Sequence, residues 1–142
     1  MSTKLDDNLR AVFAGIADFL IPEALGMPSA SQVDVHGELA DRILGLRPDL
    51  REDFMRGLKA AEGKSSEEAA QELNKSDPAA LTAIGLVASA GYYMTSKVRE
   101  LIGYKGQESR PEADPDATPE YVANGMLQQV IDRGAIFKPT PR

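Results

Sequence analysis

The chain has 142 residues, with 22 acidic against 16 basic side chains, a net charge of −6 and no cysteine. An acidic balance without a basic run excludes tracking along nucleic-acid phosphates and disfavours anionic membrane surfaces, because both rely on Lys and Arg. The missing thiols exclude disulfides, zinc–thiolate sites, iron–sulfur clusters, c-type haem attachment and cysteine nucleophiles.

A length of this order predicts one domain, here a single helical domain over 1–142. From Leu5, the residues Leu9, Val12, Phe13, Ile16, Phe19 and Leu20 trace one face of a helix. Thr3 and Asp6 stand in capping-box register ahead of it, and Pro22 stops it. Gly26 to Ser31 reads as a loop. Val35, Leu39, Ile43 and Leu46 predict a second helix ended by Pro48. That proline also suits the first turn of a third helix carrying Leu50, Phe54, Leu58 and Ala61, closed by Gly63.

Ser65 and Glu68 predict a capped fourth helix. Asp77 and Pro78 then open a fifth, as N-cap and first helical residue. Its Leu81, Ile84, Leu86 and Val87 are separated by Ala and Gly, so it has no polar face and is expected to be central and buried. Thr95 or Ser96 caps a short helix through Val98, Leu101 and Ile102. Gly103 to Ala117 is a fifteen-residue loop, long enough to be either functional or disordered. Thr118 and Pro119 start a last helix with Met126, Val130 and Ile131 facing inward, and "AIFKPTPR" is an extended tail.

Nothing alternates with period two, so no strands are expected. The predicted fold is all-α: a compact bundle of about five to seven helices, with a long loop before the last helix and an extended C-terminal tail. The most apolar stretch, Ala79 to Ala90, is far short of the ~20 residues of a membrane span, so direct membrane insertion is not expected. The N-terminal "MSTKLDDNLRAVF" lacks the basic and apolar regions of a signal peptide, which predicts a cytoplasmic chain as written.

Catalytic chemistry has few candidates. His36 is the single histidine; Asp34 and Glu38 flank it, but i,i+2 neighbours point to different helix faces. Adjacent acids such as Asp6 and Asp7, or Glu67 and Glu68, sit near helix starts, where the helix dipole accounts for them. "GYKGQ" has neither the preceding strand nor the following helix of a dinucleotide motif. No catalytic, cofactor or metal residues are assigned in this chain. Tyr92 and Tyr93 fit either core or boundary packing or an interface anchor, since tyrosine suits sites with one wet end.

Three stretches together, "FAGIADFLIPE", "AGYYMTSKVRELIGYKGQ" and "ATPEYVANGMLQQVIDRG", resemble the gluconate 2-dehydrogenase subunit 3 family over nearly the whole chain. The most specific part is the aromatic pair followed by V-R-x-x-x-G-Y-x-G-Q: Tyr92, Tyr93, Val98, Arg99, Gly103, Tyr104, Gly106 and Gln107. The resemblance implies a non-catalytic small subunit. Its partner would be a large flavoprotein of the glucose–methanol–choline (GMC) type, which holds FAD and the catalytic histidine, and in several systems a cytochrome subunit takes the electrons. Supporting the folding, flavin loading or export of that partner is the implied role. Tyr92, Tyr93, Arg99, Tyr104, Gln107 and Arg110 are then the expected partner-binding residues.

Many members carry a twin-arginine leader, and this sequence has none as written. A periplasmic location would follow if a partner co-exports the chain or a leader has been removed. The competing readings are a free-standing helical adaptor or chaperone, and an enzyme acting through His36.

Overall fold

The computed structural model describes residues 4–107 and 117–136, and the chain divides after Gly106 into two units, 1–106 and 107–142. The described residues are all-α, with eight α-helices and no strand. None of these helices is long and apolar enough to cross a membrane. The Thr3 cap, residues 108–116 of the long loop and residues 137–142 of the tail lie outside the described residues.

The first unit holds six helices: α1 (Asp7–Leu20), α2 (Ala40–Leu46), α3 (Arg51–Ala61), α4 (Ser66–Ser76), α5 (Pro78–Met94) and α6 (Ser96–Leu101). Four of these starts, those of α1, α4, α5 and α6, follow side chains that satisfy orphan amides. Asp6 caps α1 by accepting from the Leu9 amide, so the observed cap is Asp6. The Ser65–Glu68 capping box opens α4 with both reciprocal bonds. Asp77 accepts from the Ala80 amide ahead of Pro78, and Thr95 accepts from the Val98 amide. Each such cap is worth about 1 kcal/mol.

The core is built from the buried faces of α1, α3, α4 and α5. Phe13 of α1 meets Phe54 of α3 edge to face, with centroids 5.0 Å apart and planes at 71°. Around them Ile16, Leu44, Leu58, Ile84 and Val87 are fully buried. Helix α5 has its most extensive contact with α3, and also meets α1, α2, α4 and α6.

The all-round apolar composition of α5 does not bury it all round. Ala80, Ala83, Ile84, Val87, Ala88, Gly91 and Tyr92 face inward, whereas Ala79, Thr82, Leu86, Ser89, Ala90 and Tyr93 are exposed. The exposed set recurs every three or four residues, so it is one helical face. That face has no covering layer in the first unit, which corrects the expectation of a wholly buried helix.

The run from Val35 to Leu46 is divided. Val35–Leu39 forms a π-type turn kinked at Gly37, whose backbone is not helical (φ −78°, ψ −135°), and regular α-helix begins only at Ala40. Asp34 ahead of the turn is left-handed, at φ 57°. The irregular turn frees carbonyls that need partners. Arg10 of α1 supplies them: one guanidinium nitrogen donates to the carbonyls of His36 and Gly37, and another donates to Asp41. Asp41 also accepts from the Leu5 amide. Burial alone would push the Asp41 carboxyl up. The Arg10 hydrogen bond, the Leu5 amide and the guanidinium charge outweigh it, so it titrates below its ordinary value.

In the second unit, α7 (Glu120–Ala123) and α8 (Gln128–Arg133) replace the single last helix predicted from Thr118. Gly125, at φ 78°, breaks the run, and the cap residue is Pro119, with no side-chain bond. Met126, Val130 and Ile131 are exposed within this unit, contrary to the inward placement expected of them.

Two tests follow from this packing. A Cβ at Gly57 would stand 2.9 Å from the end of Ile84 and 3.0 Å from the Ala80 methyl, whereas one at Gly85 meets nothing within 4 Å. Gly57→Val is therefore expected to destabilise the chain by about 1–3 kcal/mol through overpacking. Gly85→Ala should stabilise it by about 0.4–1 kcal/mol. Urea melts of both variants check the contrast.

The second test concerns acid. A depressed carboxyl contributes stability that is complete above its ordinary pKa of about 4 and is lost as pH falls through the lower folded value. Asp41→Asn should lower stability at neutral pH and flatten its dependence on pH below about 4. Melts run from pH 7 to pH 2 read both effects.

Candidate interaction surface

The aromatic pair at the end of α5 is split by the helix. Tyr92 is 4% exposed and its hydroxyl donates to the Pro28 carbonyl at 2.7 Å. Tyr93, one residue on, is 58% exposed and meets the Tyr92 ring edge to face, with centroids 5.5 Å apart. A rotation of about 100° per residue forces this separation. Burial, and to a lesser degree Tyr93, pushes the Tyr92 phenol above its ordinary value, so it stays a donor. Tyr92 thus ties α5 to the loop before Ser31 and presents nothing outward. Tyr93 is the member of the pair a partner can reach.

Helix α6 ends in a Schellman motif. The Gly103 amide donates to the Glu100 carbonyl at 3.0 Å and the Tyr104 amide to the Arg99 carbonyl at 2.8 Å. Gly103 takes φ 71°, which the motif requires of its first residue past the cap. The backbone of "GYKGQ" therefore begins as a helix stop. The Tyr104 side chain plays no part in the motif's hydrogen bonds and is 47% exposed. Leu101 and Ile102 beside it are also exposed, as are Arg99 and Gln107. Of the residues predicted to bind a partner, Tyr93, Arg99 and Tyr104 are exposed on the first unit and Gln107 opens the second; Arg110 lies outside the described residues.

Leu86 and Tyr93 on α5, with Leu101, Ile102 and Tyr104 at the end of α6, are each about half exposed. Sequence reasoning missed Leu86, because it assigned α5 entirely to the core. Residue types do not separate the two faces of α5, since Ala and Tyr occur on both, and contact with α3 and the other helices fixes which set faces inward.

His36 is the other candidate. The left-handed Asp34 and the π turn bring Asp34 Oδ1 to 3.7 Å from His36 Nε2, so these i,i+2 neighbours do meet. That separation is an ion-pair contact and not a hydrogen bond. His36 Nδ1 is buried without a hydrogen-bond partner. A general base needs one ring nitrogen held by an orienting partner and the other within reach of a proton. Here neither nitrogen is so placed. Among the described residues, no three His, Asp or Glu side chains come together as metal ligands.

A scan against protein-family models and searches of curated proteins and of solved structures find no match to this chain.

The two tyrosines predict opposite outcomes. Tyr92→Phe leaves the buried Pro28 carbonyl without its donor and should cost about 1–3 kcal/mol of stability. Tyr93→Ala removes a side chain that is mostly in water and should change stability by no more than about 0.5 kcal/mol. Thermal melts monitored by circular dichroism compare them.

Proposed function

We propose that this chain is a non-catalytic small subunit that binds, and stabilises or matures, the large subunit of an FAD-dependent oxidoreductase of the GMC type acting on CH–OH groups. The observation that carries the reading is the apolar surface around the end of α6, where Leu101, Ile102 and Tyr104 stand exposed beside the Schellman motif. It falls within the part most specific to the family that the sequence resembles, the aromatic pair Tyr92 and Tyr93 followed by V-R-x-x-x-G-Y-x-G-Q. Half-exposed aromatic and aliphatic side chains on a rigid helix end are what a buried interface uses as anchors. The chemistry would lie in the large subunit, which holds the FAD; any cytochrome that accepts electrons would contact that complex. Nothing in the arrangement of His36 favours a reaction in this chain over binding.

The test is binding to a purified GMC-type flavoprotein encoded beside this chain. Tyr104→Ala is expected to weaken the complex by roughly thirtyfold, the equivalent of about 2 kcal/mol at a buried hot spot. Because the Tyr104 backbone amide closes the helix and its side chain does not, the substitution should leave the isolated chain folded. Calorimetry measures the affinity and circular dichroism the fold. An unchanged affinity, or a variant that melts early while its folded fraction binds normally, sinks the assignment of Tyr104 to the interface.

A further inference from the structure

The loop between α1 and Ser31 contains a feature that the fold does not use. Ala24 and Met27 exchange both backbone hydrogen bonds, at 3.1 and 2.8 Å, closing a two-residue turn on Leu25 and Gly26. Both central residues take positive φ, 52° at Leu25 and 83° at Gly26. Such a turn favours Asn-Gly or Gly-Gly, because a leucine in the left-handed region is strained by its own Cβ. Leu25 is also 104% exposed, so no contact within its unit offsets that strain or the solvated apolar side chain. Two costs are accepted at one position, with no return from the described residues of its own unit.

The turn is held firmly from both sides. The Ala30 amide donates to the Ile21 carbonyl, and the Pro28 carbonyl takes the Tyr92 hydroxyl. Gln32 bridges the loop, accepting from the Ser29 amide at 2.9 Å and donating to Glu23 at 2.6 Å. Asp18 accepts from the amide and hydroxyl of Ser31 at 2.7 and 2.6 Å. Leu25 is therefore the tip of a braced projection whose ordering precedes any encounter, which is what preorganises a binding anchor. Beside it runs a groove of about 220 Å³ lined by Gly26, Met27, Pro28 and Leu101, with Glu23, Gln32 and Lys97 also on its wall. A groove walled by apolar and charged side chains together has the composition of a protein contact.

We infer that Leu25 is an anchor that inserts into a concave apolar pocket on a different protein, one that sets a carboxylate against Lys97 and a donor against Glu23. Shape and charge select this occupant. A convex single side chain needs a concave receptor. Glu23 and Lys97 at the groove call for opposite charges across the contact, and no ion pair within the described residues engages Lys97. A second copy of this chain would bring another net charge of −6, which opposes association. A lipid surface gains too little from one leucine to hold a protein, and an acidic chain is repelled by anionic headgroups. Taking that protein to be the flavoprotein large subunit rests on the functional reading above; the anchor itself does not.

The experiment has two arms on the full chain. In the first, Leu25→Asn is compared with the parent by thermal melting; relief of the strained backbone should raise the melting temperature by roughly 2–5 °C. A lowered melting temperature would assign the leucine to the chain's own packing and overturn the anchor. In the second, p-benzoylphenylalanine is placed at position 25 in the producing cell, and the photo-crosslinked product is identified by mass spectrometry. The expected result is one heterologous protein. Reconstituted from purified components, its complex with this chain should weaken at least about tenfold in Leu25→Asn. Crosslinks only to a second copy or to lipid, no crosslink, or an unchanged affinity each overturn the inference. A crosslinked partner without FAD would instead sink the flavoprotein reading and leave the anchor standing.

Discussion

The first unit depends on how closely α5 approaches its neighbours. At Gly57 the α3 backbone comes near enough that a Cβ would collide with Ala80 and Ile84, and at Gly91 a Cβ would stand 2.7 Å from the Val35 side chain. Interiors are packed like crystals, so such approaches hold only where side chains are small. The run of Ala and Gly along α5 is therefore the reason α3 and the Val35 turn can lie against it. That seating fixes which stripe of α5 is buried, and the opposite stripe is left with Leu86 and Tyr93 facing solvent.

The same seating has a polar consequence. Between α1 and α2 the chain does not continue as regular helix, and the carbonyls of His36 and Gly37 turn toward α1. Arg10 satisfies both while paired with Asp41, and one guanidinium suits this because its planar donors serve several acceptors at once. The Arg10–Asp41 pair thus secures an irregular turn. His36 lies in that turn through its backbone, and its ring stays without an orienting partner.

At the surface, neighbouring residues of similar chemistry are put to different uses. Tyr92 is held inside by the Pro28 carbonyl and Tyr93 is released to solvent. Tyr104 lends its amide to the end of α6 and keeps its side chain free. Leu25, on a braced turn, is more exposed than any other large apolar residue described. These groups leave the first unit with apolar side chains set on rigid backbone, which is the economical way to prepare a surface for another protein.

How much of this was legible in the sequence follows the range of the interactions involved. The positions of α1, α3, α4 and α5, the caps at Ser65 and Asp77, and the helix stop at Gly103 depend on residues within about five positions of one another, and the sequence alone determined them. The division of the last helix at Gly125 and the π turn at Val35 were less readable, because weak local preferences there yield to the backbone conformations of Gly125 and Asp34. The sequence could nominate Tyr92, Tyr93 and Tyr104 as candidates but could not sort them. Only tertiary structure decided that Tyr92 belongs to the core, that α5 has an open face within the first unit, and that Leu25 stands exposed within that unit. Each of those outcomes depends on a partner many residues away, and burial is a property of the contact and not of the residue that makes it.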